Sequence, residues 1–381
     1  MVVLRRTARA YIAVDYPEAL AYFLERGVNP NQGNGFGKTP LMYAAQRNAL
    51  EAARLLLRAG ASANAKTKET GKDCYYNLRY IAMTPLHYAV RYASGAFVHA
   101  LLDAGAAPYA AAKDETSAVT PADWLDKYAS PLSEERNPNL SAEDARELAM
   151  SLKIPDAGAR AEISRKLVLQ AEATYARGDA SAAYYLLRQA IDAAPSERAM
   201  GDLSLIALRA GFPDVAALQA RRLQRTTKDP RARANAWFNY GLACEWYGRG
   251  TTIEFEYVCA GNPLRPFIES WVAEPSRARA EKIADFVRLH STCGYTGADG
   301  AAGRVHVPGD YEARDDARVF VYHPAGAAIE AASLSWVDDR SAVATLVRRY
   351  EFGDYTLSEF ATTKLWGAPL AVGGEVCAAG R

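Results

Sequence analysis

The sequence predicts a multi-domain, mainly α-helical chain: two successive solenoid stacks of paired helices, then a C-terminal α+β or mostly β domain. Three observations carry that expectation. A glycine-terminated segment recurs near the N-terminus, with 33 residues from Gly27 to Gly60 and 45 from Gly60 to Gly105. A second pair of turn glycines, Gly178 and Gly211, repeats the 33-residue interval further on. Beyond Gly250 the helical period stops, and Ile253, Phe255, Tyr257 and Cys259 alternate with Glu254, Glu256 and Val258 as in a half-buried strand. At 381 residues the chain is too long for one ordinary core, and the expected divisions are 1–152, 153–250 and 251–381.

The first stack rests on two motifs. The glycines close the segments Phe23-Leu-Glu-Arg-Gly27, Leu56-Leu-Arg-Ala-Gly60 and Leu101-Leu-Asp-Ala-Gly105. Upstream of the later two stand Thr39-Pro-Leu-Met-Tyr-Ala44 and Thr84-Pro-Leu-His-Tyr-Ala89, with a degraded copy at Thr120-Pro-Ala-Asp-Trp-Leu125. Proline suits a first helical turn, where its missing N–H has no partner to lose. A glycine just past a helix supplies the left-handed cap. The segment 7–152 therefore resembles the ankyrin-repeat family, in about four copies of which the first and last are atypical. That resemblance implies stacked helix pairs with small residues such as Ala44, Ala45 and Ala89 at the contacts. It also implies a structural role for His87 and a surface that binds a protein partner.

The twelve extra residues of the longer interval fall in 65–82 and end on Tyr75, Tyr76, Arg79 and Tyr80. Insertions in repeat arrays form loops on one face, often the binding face, and tyrosine is enriched at recognition surfaces. A loop folded back over the adjacent repeat is the competing expectation. Tyr43, Arg47, Arg91 and Tyr92, on the helices after the Thr-Pro-Leu motifs, are further candidate partner contacts.

Residues 131–140 read as a connecting loop, and Ser141-Ala-Glu-Asp144 as the capped start of a helix running to about Leu152 that closes the first stack. Ala171, Ala183, Ala190 and Pro195 then surround the Gly178 turn, and Trp237-Phe-Asn-Tyr-Gly-Leu-Ala-Cys244 opens another helix. This pattern over 161–248 resembles the tetratricopeptide (TPR) family, whose period is near 34. The resemblance implies a groove for an extended peptide or a helix, with Tyr175, Arg209, Asn235 and Asn239 as candidate lining residues.

In 251–381 helices are expected at 264–272 and 276–290, with a Gly/Ala-rich loop over 294–303. Strands are expected at 318–323, 329–337, 343–352 and 355–360. Five cysteines without a Cys-x-x-Cys pair read mainly as free, partly buried thiols; a Cys259–Cys293 disulfide is the alternative in an exported protein. Cys259, His290, Cys293 and His306 lack the paired spacing of a zinc site, so no metal or other cofactor is expected. No nucleophile elbow or phosphate loop occurs, and Asp338-Asp339 fits a turn, so no catalytic residue is assigned.

Composition narrows the function classes. With 45 basic and 44 acidic residues the net charge is +1, and the pairs Arg5-Arg6, Arg221-Arg222 and Arg348-Arg349 are short, so nucleic acid is not an expected partner. No apolar run reaches 18 residues, so membrane insertion is not expected either. Met1-Val-Val-Leu-Arg-Arg lacks the pattern of a secretory signal, which makes the cytoplasm the expected compartment, or the periplasm or exterior if a leader was removed. Arginine outnumbers lysine and alanine abounds, suggesting a GC-rich bacterial source. The expected function is a non-enzymatic protein–protein adaptor. The alternatives are an exported or immunity-type protein acting by occlusion, and an effector or enzyme active in 251–381. The oligomeric state is left open.

Overall fold

Thr-Pro pairs start three helices at their prolines: Pro40–Gln46 (α2), Pro85–Tyr92 (α4) and Pro121–Ala129 (α6). In the computed structural model each is followed by a partner helix: Leu50–Arg58 (α3), Gly95–Asp103 (α5) and Ala142–Ser151 (α7), while Pro17–Glu25 (α1) precedes the series. The structure describes residues 12–68, 72–73, 76–77, 81–113, 118–130, 133–248, 264–290, 293–296, 302–306, 317–326, 334–336, 345–362, 370–372 and 375–377. Contacts cluster into two compact units, Met1–Asp202 and Leu203–Arg381.

In the first unit α2 packs on α4 and α4 on α6, while α1, α3, α5 and α7 pack in the same order as a second layer. Leu41, Ala44, Ala45, Leu56, Leu86, Ala89 and Leu101 are fully buried between them. Gly27, Gly60 and Gly105 have φ of 76, 88 and 81° and close α1, α3 and α5. The amide after each reaches back to the final turn, as in Ala61 N–H to Leu56 O at 2.9 Å. Asn31 and Asn64 tie neighbouring repeats together. Asn31 Nδ2 donates to Gly60 O at 2.9 Å, and Asn64 Nδ2 to Gly105 O at 2.8 Å. Residues 133–140 are held by buried Asn137, whose Nδ2 donates to Val90 O and Ala93 O at the end of α4.

Within 65–82, Lys72–Asp73 (β1) and Tyr76–Asn77 (β2) pair antiparallel. Ala112–Lys113 (β3) and Ala118–Val119 (β4) do the same. Two further helices, Ala157–Ala176 (α8) and Ala180–Ala193 (α9), pack on each other and belong to the first unit. Ala193 and Ile163 bury against Ala107, Tyr109 and Ala110. Lys66 Nζ forms a largely buried ion pair with Asp192 at 2.6 Å.

Helix Glu197–Arg209 (α10) spans the division. The second unit continues with Pro213–Thr226 (α11), Pro230–Gly248 (α12), Leu264–Ala273 (α13) and Arg277–His290 (α14), where α11 packs on α12, α12 on α13 and α13 on α14. The strands are Cys293–Thr296 (β5), Ala302–His306 (β6), Ala317–Pro324 (β7), Leu334–Trp336 (β8), Thr345–Glu351 (β9), Tyr355–Thr362 (β10), Leu370–Val372 (β11) and Glu375–Cys377 (β12). They form a five-stranded sheet ordered β5-β6-β7-β10-β9 and a three-stranded sheet ordered β12-β11-β8. Phe320, Tyr322, Tyr350 and Leu357 bury against Phe267, Ile268, Ile283, Phe286 and Val287 of α13 and α14.

Two expectations are corrected. The stretch expected as a Gly/Ala-rich loop contributes β5 and β6, paired antiparallel with Cys293 opposite Val305. Small residues hide a strand from composition, because cross-strand pairing supplies what propensity does not. Cys244, buried on α12, is disulfide-bonded, so the free-thiol expectation fails for it. Cys259 and the strand expected around it lie outside the described residues, and of Cys293 only the strand is described.

Candidate partner-binding face

Asn34 organises one end of the face. Its Oδ1 accepts the N–H groups of Phe36 and Lys38, both at 3.0 Å, and its Nδ2 donates to the Tyr43 hydroxyl at 3.1 Å. This loop lays the Lys38 ammonium over two rings, 4.2 Å from the centre of Tyr43 and 4.7 Å from that of Tyr88. The hydrogen-bond partner of the ammonium is Gln46 Oε1. Burial and the Arg47 cation lower the Lys38 pKa to about 8.

Helix α4 extends the row. Tyr88 and Tyr92 stack with centroids 6.5 Å apart, and burial pushes the Tyr88 phenol up to about 12. The Arg91 guanidinium carbon lies 5.0 Å from the Tyr92 ring and 5.1 Å from that of Tyr128. Two other cations, at the end of α2 and on α6, have carboxylate partners: Arg47 pairs with Asp15, and Lys127 with Glu135 at 2.7 Å.

Of the residues expected from sequence, Tyr43, Arg47, Arg91 and Tyr92 thus come together on α2 and α4. Lys38 and Tyr88 join them and were missed. Tyr88 carried a signal, since it occupies in the second Thr-Pro-Leu motif the place of Tyr43 in the first. Lys38 carried none beyond adjacency to Thr39. Tyr75, Arg79 and Tyr80 lie outside the described residues, and of Tyr76 only its place in β2 is described.

The other candidates lie on α8, α10 and α12. Tyr175 is half-buried on α8, and Arg209 is exposed at the end of α10. Asn235 accepts from Arg279 Nη2 at 2.8 Å. Asn239 is buried and donates to Ser204 Oγ at 2.8 Å, so it is a contact between helices rather than a groove residue.

Buried His87 bridges repeats: its Nδ1 accepts from Thr84 N–H at 3.2 Å, and its Nε2 meets Val119 O at 3.1 Å. In the second unit Ser358 Oγ lies 3.1 Å from His323 Nε2, while His323 Nδ1 faces Pro324 O. That order suits a nucleophile and its base. Yet Ser358 is 1% exposed and His323 3%, so the pair is an interior link between β7 and β10. Among the described residues no group of three or more His, Cys, Asp or Glu side chains is placed to hold a metal ion. None of their helices is long and apolar enough to cross a membrane.

A family model of ankyrin repeats in three copies matches residues 8–112. Residues 8–112 are ankyrin repeats. An ankyrin repeat protein of Acanthamoeba polyphaga mimivirus is 35% identical over 75 residues, 20% of this chain. This chain spans only 18% of that relative's length, so the likeness concerns the repeats alone. Ankyrin repeats generally mediate protein–protein interaction, and the family is typically non-enzymatic. The Lys38–Tyr92 row lies wholly within the matched repeats.

Proposed function

We propose that this chain is a non-enzymatic adaptor that binds a protein partner on the α2–α4 face. The observation that carries the reading is the gathering of Tyr43, Tyr88, Tyr92, Lys38 and Arg91 on one face of the ankyrin repeats. Partly exposed tyrosines backed by cations give large contact area at low entropic cost, the chemistry enriched at protein interfaces. We read α8–α9 of the first unit and α11–α12 of the second as TPR-like helical pairs. Two left-handed turn glycines 33 residues apart support that, Gly178 with φ 91° and Gly211 with φ 85°. A photo-crosslinking residue at Tyr92 should yield partner adducts absent when it replaces Arg54, an exposed residue of α3. Identical adducts from both positions, or none from 92, defeat the proposal.

One observation favours a second reading, in which the chain works outside a reducing compartment as an exported protein acting by occlusion. Cys244 is disulfide-bonded, and disulfides persist in oxidising surroundings. Thiol titration of the denatured protein from its native host, without reductant, should find fewer than the five thiols of the sequence. Five free thiols would remove the reading.

A further inference from the structure

Among the described residues the charges around the α2–α4 face do not balance. Arg47 and Lys127 each hold a carboxylate, in Asp15 and Glu135. Lys38 holds none among the described residues, where it contacts a neutral amide and two rings, and Arg91 lies against rings and has only a share of the Glu135 carboxylate that Lys127 already holds. A half-buried ammonium loses hydration that a neutral amide and aromatic faces return only in part. Arg47, a like charge, adds to the cost. The chain as a whole carries only +1, so this excess is local. A ligand that brings carboxylates to the two cations would recover the lost interaction, and flanking rings would exclude water from the new pairs. Two cations are too short a track for a nucleic acid, whose phosphates recur every few ångströms.

We infer that the partner segment is an extended acidic peptide, with one carboxylate seated on Lys38 between Tyr43 and Tyr88 and another on Arg91 beside Tyr92. The inference rests on the docking reading above and specifies its ligand. It also gives the neighbouring rings of Tyr88 and Tyr92 a role, as a floor for the apolar part of the segment.

A random 12-residue phage-displayed peptide library would be selected on the full-length protein and counter-selected on Tyr43→Ala/Tyr88→Ala. Circular dichroism would confirm that the variants fold. The expected survivors are rich in Asp and Glu. Their N-acetylated synthetic forms should bind Lys38→Met about tenfold or more weakly and Lys38→Arg nearly as well as the wild type. Between pH 7 and 9 the wild type should lose affinity as Lys38 deprotonates, whereas Lys38→Arg should not. The groups facing Lys38 are Arg47, Tyr43 and Tyr88. Arginine stays charged throughout, and Tyr88 titrates near 12. Neutral or basic survivors, or full affinity in Lys38→Met, would overturn the acidic ligand while leaving the face as a docking site. No peptide distinguishing wild type from the double variant would overturn both.

Discussion

Met42, His87 and Asp123 occupy one position in three copies of a single motif, and each closes the helix cap differently. Asp123 accepts Thr120 N–H at 2.7 Å, His87 accepts Thr84 N–H through Nδ1, and Met42 offers only sulfur to Thr39 N–H at 3.4 Å. Among the described residues Thr39 Oγ1 has no hydrogen-bond partner. His87 does most, because its second nitrogen ties the repeat to β4. Its burial depresses the imidazole pKa from 6.5 to about 4. The unfolded chain therefore binds the proton first, so this group's stabilisation is full above pH 6.5 and is lost as pH falls towards 4. The loss is of the order of 3 kcal/mol. Urea titrations of wild type and His87→Met across that window should show the acid loss shrinking in the variant; parallel curves would exonerate the imidazole. The motif position was legible in the sequence. Its second bond was not, because Val119 belongs to another repeat.

The elements are joined by contacts that recur until one residue interrupts them. Asn31 and Asn64 carry the bond from repeat to repeat, and Tyr109 stands where the next asparagine would be. Tyr109 instead buries its ring against α9, with its hydroxyl 3.4 Å from Gln189 Nε2. That single substitution marks where the ladder ends and the α8–α9 pair takes over. In the second unit the decisive contact is Gly241 on α12. A Cβ added there would lie 2.6 Å from the buried Phe267 ring of α13. Alanine in a helix interior normally gains about 1 kcal/mol over glycine. Overpacking of this kind costs about 1–3 kcal/mol. Gly241→Ala should therefore lower the thermal midpoint, against helix propensity. A raised midpoint would show that α12 and α13 pack less closely.

At the scale of the molecule, contacts cluster on either side of 202–203, and repeat counting places a boundary after 152. Helices α8 and α9 cover Ala107, Tyr109 and Ala110 and pair Asp192 with Lys66. A fragment ending at 152 would uncover those residues. One ending at 202 keeps them, and should be more stable in urea by about 2 kcal/mol or more. Equal midpoints would favour a boundary after 152. The order of strands was partly legible, since Gly353-Asp354 separates two apolar runs and the structure makes them the β9–β10 hairpin. The β5–β6 pair was not, because Gly294, Ala302 and Gly303 read as loop residues and only their cross-strand pairing marks them as strand.

What the sequence determined alone is what depends on near neighbours: helix starts at Thr-Pro, left-handed glycine caps, and the spacing that makes residues 8–112 ankyrin repeats. These follow from backbone hydrogen bonds within a turn or two, so local residue types suffice to specify them. The tertiary structure decided which side chains share an environment. Lys38 meets Tyr88 from the next repeat, and Lys66 meets Asp192 across 126 residues. Such encounters depend on how stacked elements pack. No local pattern encodes them, because desolvation and charge pairing act between groups that only folding brings together.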